Sequence, residues 1–167
     1  MGIDPLAHKA TALATLALIL KFYGTLLIQG GARFRAGSRP PEDGTKLPTV
    51  VKALKVTGIK QSFGVYSDAA TDEKLTQAKL NDIRWQRIVL NDLENIPLGL
   101  IVAWSSSISC YSPLLHALLV SVFAGARISH TFFYAKEMQP HRGLAWGTGV
   151  GATIIMSLNG VLGLFVN

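Results

Sequence analysis

Residues 143–166 carry no charged side chain. The run is long enough for a helix to cross a bilayer core, which takes roughly 20 apolar residues. Backbone polar groups in hydrocarbon must be satisfied internally, so such a segment is helical. Three other apolar stretches accompany it, at 6–29, 98–104 and 114–134. Charged residues make up only 16% of the chain, against about 25% in a typical soluble domain. These features predict an all-α membrane protein. They place one domain over residues 1–167, a four-transmembrane-helix bundle with helices at 6–34, 79–108, 114–134 and 143–166. Residues 35–78 form a loop. The first apolar run passes twenty residues and ends in Arg33 and Arg35, not in a small-residue cleavage site. It therefore reads as a retained helix and not as a signal peptide.

The formal net charge is +6. Basic residues are not interleaved with base-stacking aromatics, which argues for membrane topology and against nucleic acid. Eleven Lys and Arg fall within 33–87 and none within 105–113. The positive-inside rule then puts the 35–78 and 135–142 loops in the cytosol and both termini on the lumenal side. Cys110 is the only cysteine, so neither a disulfide framework nor a metal cluster is expected. With no His or Lys near it in sequence, it reads as an inert filler.

Two polar faces interrupt the apolar pattern. The first lies in 87–97, RIVLNDLENIP, where Arg87, Asn91 and Glu94 fall at i, i+4 and i+7 on one helical face. Asp92 and Asn95 occupy an adjacent strip. Polar groups at the edge of hydrocarbon are expensive unless they face a bundle interior or a polar cavity. The face therefore reads as the wall of an anionic or zwitterionic ligand site. The competing reading is a solvated helix end in which Arg87 and Glu94 pair with each other. Pro97 removes the hydrogen bond to the Leu93 carbonyl and should kink the helix.

The second face carries Arg127, His130, Thr131 and Tyr134, at i, i+3, i+4 and i+7. Lys21 stands alone in the first apolar run, where it either snorkels or pairs with a carboxylate from a neighbouring helix. Residues 135–141 read as a tight polar loop, with Arg142 at the mouth of the last segment. Gly147 and Gly151 form a small-xxx-small pair suited to close helix approach, and Asn159 is placed to hydrogen-bond across helices. Val50, Val51 and Leu54 repeat at helical spacing within 48–58, giving a short helix on the membrane surface or a mobile loop. Arg33, Arg87, Asn91, Glu94, Arg127, His130, Tyr134 and Arg142 all fall at the expected cytosolic ends of their helices. Four arginines and one carboxylate suit a small ligand bearing carboxylates and an ammonium.

These motifs resemble the MAPEG family, the membrane-associated proteins in eicosanoid and glutathione metabolism. NDLEN at 91–95, with Arg87 four residues before it, resembles the helix-two signature of the microsomal glutathione transferase and prostaglandin E synthase branch. GARISHTFFY at 125–134 resembles the helix-three motif. Lys21, Arg33, the PED of 41–43 and the P-x-R ending at Arg142 also match. The resemblance implies a four-helix homotrimer binding glutathione between subunits at the cytosolic side, with Arg33, Arg87, Asn91, Glu94, Arg127, His130, Thr131, Tyr134 and Trp146 as contacts. It implies residence in the endoplasmic reticulum or the mitochondrial outer membrane, among membrane lipid.

It further implies that Arg142, helped by Asp43, favours the thiolate of glutathione for attack on a lipophilic electrophile or lipid hydroperoxide. Leu90, Gly143 and Trp146 depart from the prostaglandin synthase pattern, and the 46–66 insert is longer than the usual loop. These departures favour a general glutathione transferase and peroxidase. The alternatives are a prostaglandin E synthase-like isomerase and a non-catalytic lipid-binding protein of the same fold.

Overall fold

The structure, a computed structural model, describes residues 4–46, 52, 59–64 and 73–166. Its elements are α1 (Pro5–Arg35), α2 (Asp43–Lys46), α3 (Glu73–Ser109), α4 (Pro113–Ala135) and α5 (Gln139–Val166). No strand occurs among the described residues. Three helices, α1, α4 and α5, are long and apolar enough to cross a membrane. The fourth long helix, α3, carries its charges between Glu73 and Glu94 and turns apolar only from Leu98.

Helix ends depart from the sequence reading in three places. The second long helix begins at Glu73, six residues before the expected 79, and runs through Pro97 to Ser109. The turn expected over 105–112 therefore shrinks to 110–112. The last helix begins at Gln139, so the expected 135–141 loop is only 136–138 and Arg142 lies inside the first turn of α5. Glu137 makes the reversal in a left-handed conformation, φ 62. Pro140 then suits a helix start, where its missing N–H would be unpaired anyway, and Arg142 N closes the first turn on Met138 O at 3.0 Å. The amphipathic helix expected at 48–58 lies almost wholly outside the described residues.

The chain divides into two compact units, one formed by Met1–Tyr23 and Leu90–Asn167 and the other by Gly24–Val89. The first unit holds the core. Ala14 and Leu18 of α1 meet Ile96 and Ala103 of α3, Val120, Phe123 and Ala124 of α4, and Ala152 and Met156 of α5. Glycine sets how closely these helices pack. A Cβ on Gly99 would stand 2.0 Å from the Phe123 ring, and one on Gly163 would stand 1.7 Å from the Ser109 carbonyl oxygen. Among the described residues Gly147 and Gly151 make no such approach, since nothing lies within 4 Å of a Cβ at either.

Away from this core, the turn between α3 and α4 is fastened by Asn159, whose side chain accepts from Ser112 N at 3.0 Å and donates to Ser112 O at 3.1 Å. Ser112 in turn caps α4 by accepting from Leu115 N. The adjacent Cys110 is buried, and burial pushes its thiol pKa up, consistent with a filler role. In the second unit, Gln61 is buried and ties the 59–64 segment to the end of α1.

Candidate functional site

The first unit gathers its charge at one buried carboxylate. Asp92 of α3 is fully buried and forms an ion pair with Lys21 of α1. Its other oxygen lies 3.4 Å from Nη2 of Arg127 on α4. The same Nη2 donates to the side-chain oxygen of Asn91. Lys21, Asp92, Arg127 and Asn91 thus join three helices in one polar network, with the Arg127 side chain only 1% exposed. Two cations share one anion, and a fully desolvated charge survives in such surroundings only when paired. Of its two readings, snorkelling or pairing with a neighbouring helix, Lys21 takes the second.

Arg127 is not saturated by these contacts. Its Nε and Nη1 have no hydrogen-bond partner within the described residues, nor do His130 Nδ1 and Thr131 Oγ1. All three side chains sit on the polar face read from the sequence. One turn further along α4, the Tyr134 ring meets the His130 ring edge-on at 5.7 Å. The guanidinium of Arg142 lies over the same Tyr134 ring, 4.3 Å from its centre. That contact crosses from α4 to α5 and sets the cation against an aromatic face.

Several expected residues are thereby brought into direct contact, Asn91 with Arg127, and Tyr134 with both His130 and Arg142. Glu94 is exposed on α3, and Trp146 is exposed on α5. Arg33, Asp43 and Arg87 belong to the second unit. Arg33 is exposed in the last turn of α1 and Arg87 is exposed on α3. Asp43 opens α2 and pairs with Arg39 at 3.6 Å. Asp92, central to the network, was read from the sequence only as part of an adjacent strip. The signal that could have promoted it was Lys21, which requires a carboxylate at its own depth.

The MAPEG family model matches residues 11–162. The chain belongs to the MAPEG family. With three apolar helices of spanning length, this MAPEG chain is an integral membrane protein. It is similar to microsomal glutathione S-transferase 1 of Rattus norvegicus, 40% identical over 92 residues, which is 52% of each chain. The protein of the same name from Sus scrofa is 40% identical over 104 residues, 58% of this chain and 61% of that one. The chain spans about half the length of these curated relatives.

Proposed function

We propose that this MAPEG protein is a glutathione transferase and peroxidase that activates the glutathione thiol for attack on lipophilic electrophiles or hydroperoxides. The observation that carries this reading is the α4 polar face. A buried guanidinium, an imidazole and a hydroxyl there keep unused hydrogen-bonding groups. Unpaired buried donors are costly, so the face is suited to a ligand rich in acceptors. Glutathione fits that demand, with two carboxylates for Arg127 and Asn91 and an ammonium for Glu94. The glutathione S-transferase names of the relatives support the same substrate. By the family motifs, Arg33, Arg87, His130, Thr131, Tyr134 and Trp146 are further contacts, and Asp43 assists Arg142.

Arg142 is assigned the thiolate. A free thiol has a pKa of about 8.5 and is mostly protonated at neutral pH. A guanidinium beside the sulfur favours the anion, and a two-unit shift corresponds to about 2.7 kcal/mol. The Tyr134 ring holds the Arg142 guanidinium in place, 4.3 Å from its centre. In transfer, the thiolate forms a carbon–sulfur bond and the electrophile's leaving group departs with its electron pair. With a hydroperoxide, sulfur takes the terminal oxygen as the O–O bond breaks, alcohol leaves, and a second glutathione releases water and closes the disulfide.

The reading includes a homotrimer of four-helix protomers with α3 as the fourth span. It sits in the endoplasmic reticulum membrane, with the site facing the cytosol and both termini lumenal. The test is Arg142→Ala. Turnover should fall at least about tenfold, or roughly 1.4 kcal/mol, with glutathione affinity little changed, because the contact strengthens as charge develops on sulfur. Arg142→Lys should rescue only partly, since it lacks the planar fork. Wild type should show ultraviolet thiolate absorbance below the pH at which free thiol ionises. Equal activity in Arg142→Ala would move the role to another residue. A wild type with neither thiolate signal nor turnover would refute the enzyme reading.

A further inference from the structure

The 59–64 segment takes no part in the function proposed above, yet it is built with care. In the second unit α1 ends at Arg35, and Gly37 turns the chain with φ 70. Gln61, only 4% exposed, donates to Phe34 O at 3.1 Å and accepts from Arg39 N at 3.1 Å. Ser62 N donates to Gly37 O at 3.0 Å and Phe63 N to Arg39 O at 2.9 Å. Four hydrogen bonds therefore fasten this short segment, one to Phe34 at the end of α1 and three to Gly37 and Arg39 just after it.

The fastening holds Phe63 in a left-handed conformation, φ 55, with 62% of the residue exposed. A bulky side chain is strained there, and glycine would make the same turn without strain. An exposed ring recovers little of that cost through burial within the chain. A surface beyond the described residues can recover it.

The surroundings identify what that is. Lys60 is exposed beside Phe63, and Arg33 and Arg35 are exposed on the last turn of α1. Among the nearby carboxylates, Asp43 is engaged by Arg39 and Glu42 is exposed. At 31 residues, α1 is about 46 Å long, more than the roughly 30 Å hydrocarbon layer. An over-long helix of this kind sets its basic end in the headgroup layer. Aromatic rings settle at that depth, and anionic lipid attracts the flanking cations.

We propose that Phe63, presented by the Gln61 clamp and flanked by Lys60, Arg33 and Arg35, inserts into the anionic headgroup layer of the bilayer that α1 spans. It anchors the 59–64 segment to the membrane surface.

The test places a nitroxide label at Phe63→Cys on a Cys110→Ala background, in nanodiscs of phosphatidylcholine with and without phosphatidylserine. The label should collide several-fold less often with a water-soluble nickel chelate than a label at Glu42→Cys does, while staying accessible to oxygen. Phosphatidylserine should deepen it, and Lys60→Glu should remove that dependence. Nickel accessibility equal to that at Glu42 would overturn the proposal. A label shielded from both reagents would overturn it too, because the ring would then dock on protein. A second measurement avoids the cysteine changes. Phe63→Trp in the otherwise native chain should add quenching by bromine-labelled lipid beyond that of Trp85, Trp104 and Trp146, and no added quenching would refute insertion.

Discussion

Asp92 is the residue whose loss should cost the fold most. It balances Lys21 and Arg127 at once, with its own side chain fully buried. Asp92→Leu leaves two cations in an apolar interior, and breaking a buried pair in this way costs about 3–5 kcal/mol. Lys21→Met should cost less, because Asp92 then keeps Arg127. Unfolding of both variants in detergent micelles checks the order, and a milder Asp92→Leu would show that the network contributes little. Lys21 was legible in the sequence as a misfit in its apolar run. Its partner was not, because helical periodicity groups residues into strips without saying which strip faces inward. Arg87, Asn91 and Glu94 do share a spacing, yet within the chain Asn91 is partly buried and bonded while Arg87 and Glu94 stay exposed. An exposed carboxylate remains free to meet a ligand amine. Glu94→Ala should therefore weaken glutathione binding by about 1.5–3 kcal/mol, the range for a hydrogen bond to a charged group. Calorimetry on folded protein reads it, and unchanged affinity removes Glu94 from the site.

At the scale of elements, hydropathy and spacing found α1, α4 and α5 because each carries a long apolar run. The helix ends were read less well. Pro140 and the left-handed Glu137 start α5 earlier than the charge pattern suggested, since Gln139 and His141 look like loop residues until the proline is read as a helix start. The second long helix was harder for a related reason. Its charged stretch looks solvated, and the partners of Asp92, Lys21 and Arg127, come from other helices. Close packing within the described residues falls elsewhere than the motif. Among the described residues the small-xxx-small pair at Gly147 and Gly151 meets nothing, whereas Gly99, Gly160 and Gly163 make close contacts. A motif gives the spacing of small residues, but contact depends on which face the partner helix covers. Gly163→Ala should thus destabilise the fold by about 1–3 kcal/mol through overpacking against a backbone carbonyl. Gly151→Ala, in open space, should leave the protomer's stability within about 0.5 kcal/mol of wild type. Paired thermal melts distinguish the two, and equal effects would contradict the packing described.

At the scale of the whole molecule, one chain leaves a charged side chain bare at membrane depth. Glu94 lies exposed on α3 only four residues before the apolar run that starts at Leu98. A carboxylate left facing lipid at that depth is costly, and such groups face a bundle interior or a polar cavity instead. The first unit leaves Glu94 uncovered, so another copy of the chain is the simplest cover. Burying Glu94 against a neighbour would also set it beside a bound ligand, which ties the assembly to the proposed activity. The expected assembly is three copies, and native mass spectrometry from mild detergent should find a trimer. If assembly covers this face, Glu94→Lys should shift the population toward smaller species while the separated protomers keep wild-type helix content by circular dichroism. Only monomer in the wild type, across several mild detergents, would overturn the trimer. A wild-type trimer that Glu94→Lys leaves intact would place the subunit interface on some other face of the protomer.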